Sequence, residues 1–146
     1  MDLDFIPSLI ALTPGLELRA AVAYSYLSSV SFVDGYLFPT LVSFLIIPVV
    51  YLCFNFIVTF VSERVHIVSL MLNRIRAKTK RYVDKYGLLG LALFVAIPFP
   101  GSGLYSGTLG ALLLGMKGKR VVLGLALGNI LSLIVVLTSI AIGTNL

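Results

Sequence analysis

The chain has no tryptophan, one cysteine and one histidine among its 146 residues. A single thiol, Cys53, cannot close an internal disulfide and says nothing of the redox compartment. In the middle of an apolar run it reads as a buried structural thiol, because free cysteine packs as a small hydrophobe. His66 stands beside Arg64 with no cysteine or carboxylate at ligand spacing, so no metal site is expected. There is no Gly-x-Ser-x-Gly elbow, no phosphate-binding loop and no dinucleotide fingerprint. An enzyme is therefore not expected, nor a cofactor, nor ATP-driven pumping by this chain alone. Charged residues are also scarce, at 12%.

Apolar residues take their place. They make up 59% of the chain, and the mean hydropathy is +1.07. That is far outside the range of a soluble domain. The chain reads as an all-α integral membrane protein, a single membrane domain over 1–146 with no room for a separate soluble domain. Its acidic start, Met1-Asp2-Leu3-Asp4, does not look like a cleaved signal peptide. The net charge of +5 is concentrated in one segment. Membrane topology explains that better than nucleic acid, which is not expected as a partner.

Two interruptions carry the most information. Thr13-Pro14-Gly15-Leu16-Glu17-Leu18-Arg19 splits the apolar stretch 5–32, and Pro98-Phe99-Pro100-Gly101-Ser102-Gly103 splits 87–116. Each piece is too short to span, since a crossing takes about 20 residues. Between and after them lie uninterrupted apolar runs of full length, 37–61 and 121–142. Asp34-Gly35 should end the element before the first run, and Pro48 should kink that run. Asn55 is a buried polar candidate on it.

Segment 62–86 differs in character. It holds seven basic residues against Glu63 and Asp84. Helical spacing puts Val68, Leu72, Ile75, Tyr82 and Tyr86 on one face and Arg74, Lys78, Arg81 and Lys85 on another. It reads either as an amphipathic helix on membrane lipid or as a solvated connector. A second basic cluster, Lys117-Gly118-Lys119-Arg120, precedes the last span.

Basic residues collect on the cytoplasmic side. Both clusters lie there only if 87–116 enters and returns as a re-entrant hairpin. The lengths agree, because a helix of about 11 residues rises about 16 Å, half the hydrocarbon core. If 5–32 behaves likewise, both termini lie outside. A shift of 86 residues places Pro14-Gly15 on Pro100-Gly101 and one long span on the other. The order hairpin, span, surface helix, hairpin, span makes two inverted repeats.

Glu17 and Arg19 are the first candidates for chemistry. A carboxyl at a hairpin tip, in a wet cavity of reduced dielectric, is suited to carry a proton. Arg19 could hold it charged or bind an anionic headgroup. The alternative is a turn at the membrane surface with a weak solvated ion pair. At the second tip, Gly101, Ser102 and Gly103 offer amides and a hydroxyl where a half-helix begins, a place that favours phosphate or carboxylate. A plain turn is the alternative there. Gly103, Gly107, Ala111 and Gly115 recur every four residues, as do Gly124, Gly128 and Ser132. Such stripes let membrane helices approach closely. Asn129 beside them is a candidate interhelical hydrogen-bonding group.

At these residues the chain resembles the small multidrug export protein family of bacteria and archaea, a distant relative of the DedA and VTT-domain membrane proteins. The carriers are Pro14-Gly15-Leu16-Glu17-Leu18-Arg19, Pro98-Phe99-Pro100-Gly101-Ser102-Gly103 and Leu113-Leu114-Gly115-Met116. Tyr105 stands where the family has an aromatic residue, and Ala20-Ala21-Val22-Ala23 replaces its small residue and later proline. The resemblance implies opposed re-entrant hairpins in a cell-membrane protein, with proton-coupled export or movement of lipid. On this reading Glu17 and Arg19 serve a small-molecule or lipid substrate between the hairpin tips. A homodimer is expected, with the small-residue stripes as contact faces. The alternatives are a lipid or polyprenyl-phosphate scramblase with Arg19 at the phosphate, and a non-transporting scaffold using the basic helix.

Overall fold

The computed structural model describes residues 5–14, 16–97 and 103–143. Gly15, Pro98, Pro100, Gly101 and Ser102, all singled out above, lie outside the described residues. Among the described residues every regular element is helical.

Helix α1 is short, Ile6–Leu12, and opens with Pro7 where a missing amide costs nothing. It stops at Thr13, whose hydroxyl donates back to the Leu9 carbonyl at 3.0 Å. The Glu17 amide donates to the Thr13 carbonyl at 3.1 Å where α2, Glu17–Leu27, begins. Helix α3 covers Phe38–Arg64 and runs on through Pro48. Asp34 and Gly35 do not end an element. They lie in a single π turn, Val33–Leu37, that leads into α3. The Ser25 hydroxyl donates toward the Ala21 and Gly35 carbonyls, which ties this wide turn to α2.

Extended Val65 alone separates α3 from α4, His66–Ala96. The basic segment and the first arm of the second hairpin are thus one helix, with no boundary at Gly87. The reason is local: nothing from Lys85 to Leu91 is a proline, and Gly87 and Gly90 each cost a helix only about 1 kcal/mol. Helix α5, Leu104–Leu113, ends in a left-handed glycine, Gly115, at φ +88°. The amides of Gly115 and Met116 donate to Leu112 and Ala111, a Schellman closure. Helix α6, Lys119–Gly143, is the last of the described elements.

The most extensive helix contact is between α4 and α6. A Cβ on Gly124 would meet Leu91, and one on Gly128 would meet Val95 and the Ala92 carbonyl. The pairings ascend together, so the end of α4 and the first half of α6 run parallel. Gly107 likewise faces Val95 and Leu125. The small-residue stripes, expected to let helices approach closely and offered also as contact faces between copies, bring helices of one chain together here. Leu91, Val95, Leu104, Val121 and Leu125 form the core together with Ile47 and Val50 of α3.

Among the described residues two helices, Val33–Arg64 and Lys119–Gly143, are long and apolar enough to cross a membrane. Their outer faces carry large apolar side chains, with Leu45 73% and Phe56 70% exposed. A surface so continuously apolar needs lipid rather than water. Cys53 belongs to it: the thiol is exposed on α3, not buried as expected. Asn55 is half-buried.

Candidate functional site

The starts of α2 and α5 meet beside the middle of α6. Glu17 is the first residue of α2 and holds a left-handed backbone, φ +56°, that costs a non-glycine residue about 1–2 kcal/mol. Such outliers persist where the surroundings over-determine them, often at functional sites. Here the surroundings are the start of α5. The Glu17 carboxylate accepts the Leu104 amide at 3.0 Å and the Tyr105 amide at 3.4 Å. These amides have no partner within their own helix, and their partial positive charge suits an anion.

Glycine at 103 makes the approach possible. A Cβ there would lie on the Glu17 carboxylate itself. The Gly103 amide donates to the Ser106 hydroxyl at 2.9 Å, so the first turn of α5 is capped by its own serine and by a carboxylate from the other half of the chain.

Arg19 sits in the first turn of α2 and reaches elsewhere. Its Nε donates to the Ser132 hydroxyl at 2.6 Å, and its Nη2 donates to the Val95 carbonyl near the end of α4. Three elements, α2, α4 and α6, are thereby joined at one guanidinium. Ser132 was foreseen only as a packing residue; here it is a side-chain acceptor for Arg19. Tyr105 makes a matching reach: its hydroxyl donates to the Leu12 carbonyl at the end of α1, at 2.6 Å. Asn129 donates to the Ser43 hydroxyl at 2.7 Å in a buried bond between α6 and α3.

The structure thus brings Glu17, Arg19, Gly103, Ser132 and Asn129 into one region. Arg74, Lys78, Arg81 and Lys85 lie far along the chain from it, exposed on α4. Sequence reasoning missed Ser106, Ser43 and Val95. The signal for Ser106 was readable, three residues after a helix-starting glycine. Ser43 and Val95 act through helix rotation and a main-chain carbonyl, which leave no local pattern. Among the described residues no group of three metal-ligating side chains occurs.

What this arrangement can do follows from its groups. A carboxylate that holds a helix start holds it less firmly when protonated, because protonation removes the charge and turns one of the two acceptor oxygens into a donor. A family model described as "Putative small multi-drug export protein" matches residues 17–135. No curated protein and no solved structure matches the chain. The match covers most of the sequence, from Glu17 to past Ser132, and the chain belongs to that small multi-drug export family.

Proposed function

We propose that this member of the small multi-drug export family is a proton-coupled secondary transporter of the cell membrane, with its site between two re-entrant hairpin tips. The observation that carries the reading is the Glu17 carboxylate on the α5 amides, a titratable group of one hairpin holding the half-helix of the other. Binding a proton at Glu17 would loosen that hold and let the hairpins move apart.

Depth supports the re-entrant assignment. Arg19 touches both Val95 and Ser132, so α4 ends level with the middle of α6, a helix about 37 Å long. A hairpin that reverses halfway along a span neither crosses the bilayer nor stays at its surface. Irregular backbone at that depth is tolerated only inside protein or beside a water-filled cavity.

Cross-bonds support the inverted repeat. Ser43 and Asn129 stand 86 residues apart and bond to each other, as partners on a pseudo-two-fold axis would. Arg19 and Tyr105 are related by the same shift. One reaches the end of α4 and the other the end of α1, each the first arm of the opposite hairpin. Under this topology the basic helix and the basic turn are cytoplasmic. Two spans and two hairpins are little material to enclose a pathway, so the working unit is a homodimer.

Movement of lipid phosphate past Arg19 is the second reading. It ranks lower because the guanidinium already serves Ser132 and Val95. The scaffold reading leaves the half-buried polar site without a purpose. All three are separated in sealed proteoliposomes under an imposed pH gradient, with internal pH and fluorescent-lipid movement followed together. Proton flux that vanishes with Glu17→Gln supports the transporter. Lipid movement without flux, lost in Arg19→Ala, replaces it with the scramblase. Neither signal from folded protein, with exposed Arg74, Lys78 and Arg81 essential in cells, replaces it with the scaffold.

A further inference from the structure

Away from the hairpin tips, an apolar groove of about 420 Å³ runs between α4 and α5. Val83, Tyr86 and Phe94 form one wall, and Ala111 and Leu114 the other. It extends from Ser106, in the first turn of α5, to Met116 and Thr79 beyond its end. Its length is therefore about that of α5, roughly 15 Å. Glycines open it: a Cβ added to Gly90 or Gly110 would meet no atom within 4 Å. The volume lies in the range of small-ligand pockets.

One end of the groove is charged. Arg76 lies three residues before Thr79, on the groove face of α4. This face is not the exposed one that carries Arg74, Lys78 and Arg81. The Arg76 stem packs against Gly115, where a Cβ would come within 2.9 Å of it. Its Nη2 donates to the Leu112 carbonyl at 3.2 Å, and its buried Nε has no partner among the described residues. A guanidinium has five donors; with Nε shut away from the surface and one Nη2 proton on Leu112, the two Nη groups are where an outside acceptor would bind. Lys80 is one turn further along α4, and Lys117 follows Met116 at the groove end. The groove thus has an apolar trough in the membrane part of the chain and a cationic mouth in its basic part.

We propose that this groove is a binding site for an anionic phospholipid, with one acyl chain along Gly90 and Gly110 and the phosphate at Arg76. Basic pockets between membrane helices hold acidic headgroups for this reason. The site is independent of Glu17 and Arg19, and stands whether or not the chain carries protons.

The test uses the full chain reconstituted in phosphatidylcholine vesicles doped with spin-labelled phosphatidylglycerol or spin-labelled phosphatidylcholine. Electron paramagnetic resonance reads the immobilised fraction of each. Wild type should immobilise the anionic lipid in clear preference to the neutral one. Arg76→Gln should cut that preference about fivefold, the effect of one basic residue near a membrane surface. Arg76→Lys should retain it. Gly90→Leu and Gly110→Leu should remove the immobilised anionic fraction, because leucine fills the trough without a clash. Gly143→Leu, equally unobstructed but on α6, should not. Equal immobilisation of both lipids by wild type overturns the proposal. So does an immobilised anionic fraction unchanged by either groove leucine, which would place the lipid elsewhere.

Discussion

Glu17 is a carboxylate whose two hydrogen-bond donors are main-chain amides of another element. That choice of partner matters more than its proximity to Arg19. A carboxylate paired to an arginine could exchange a proton without moving anything. One that caps a helix start weakens its hold on the helix when it binds a proton, since the charge and one acceptor oxygen are lost. Glu17→Gln keeps one carbonyl acceptor and removes the charge. It should cost only about 1 kcal/mol of thermal stability while abolishing proton flux. Gly103→Ala should copy the flux defect with the carboxyl intact, since its Cβ takes the carboxylate's place. Gly143→Ala, where a Cβ meets nothing, should leave flux as it is. Flux through Gly103→Ala equal to wild type would mean that the carboxylate does not act from this position.

At the scale of elements, α5 is held at both ends by charges that match its dipole. The acidic Glu17 stands at its start, and the basic Arg76 donates to Leu112 near its finish. Each is supplied by a different helix, so a ten-residue segment that would be marginal alone is fixed by its surroundings. The α4–α6 seam is held differently, by close approach. Gly128→Ala would push against Val95 and the Ala92 carbonyl, and should destabilise the protein by about 1–3 kcal/mol. Thermal unfolding in detergent reads this directly. The Ser43–Asn129 bond should show a coupling of about 1 kcal/mol in a double-mutant cycle with Ser43→Ala and Asn129→Leu, close to other buried membrane hydrogen bonds. A coupling of zero would mean that the two spans are held there by packing alone.

For the whole molecule, the sequence made the punctuation legible. Pro14, Pro98 and Pro100 marked the breaks, the two apolar runs marked the spans, and the small-residue spacing marked the seams. These are signals of backbone chemistry and of composition, and they survive without coordinates. What was not legible depended on rotation and on continuity. Gly87 looked like a boundary because hydropathy changes there, yet backbone hydrogen bonding runs on through it from His66 to Ala96. Cys53 looked buried because its neighbours are apolar, but in a membrane protein an apolar neighbourhood is also what faces lipid. Arg76 looked like one more member of a basic run. Only the packing of α4 against the α5–α6 turn separates it from Arg74 and Lys78.

The central claim is that Glu17 holds the two hairpins together only while it is ionised. In a Cys53→Ala background, spin labels at Leu27 on α2 and Leu109 on α5, both exposed, report their separation. In vesicles the wild-type distance should change between alkaline and acid pH, and Glu17→Gln should show the acid distribution at both. Identical distributions at both pH values, unaltered by Glu17→Gln, would contradict the claim.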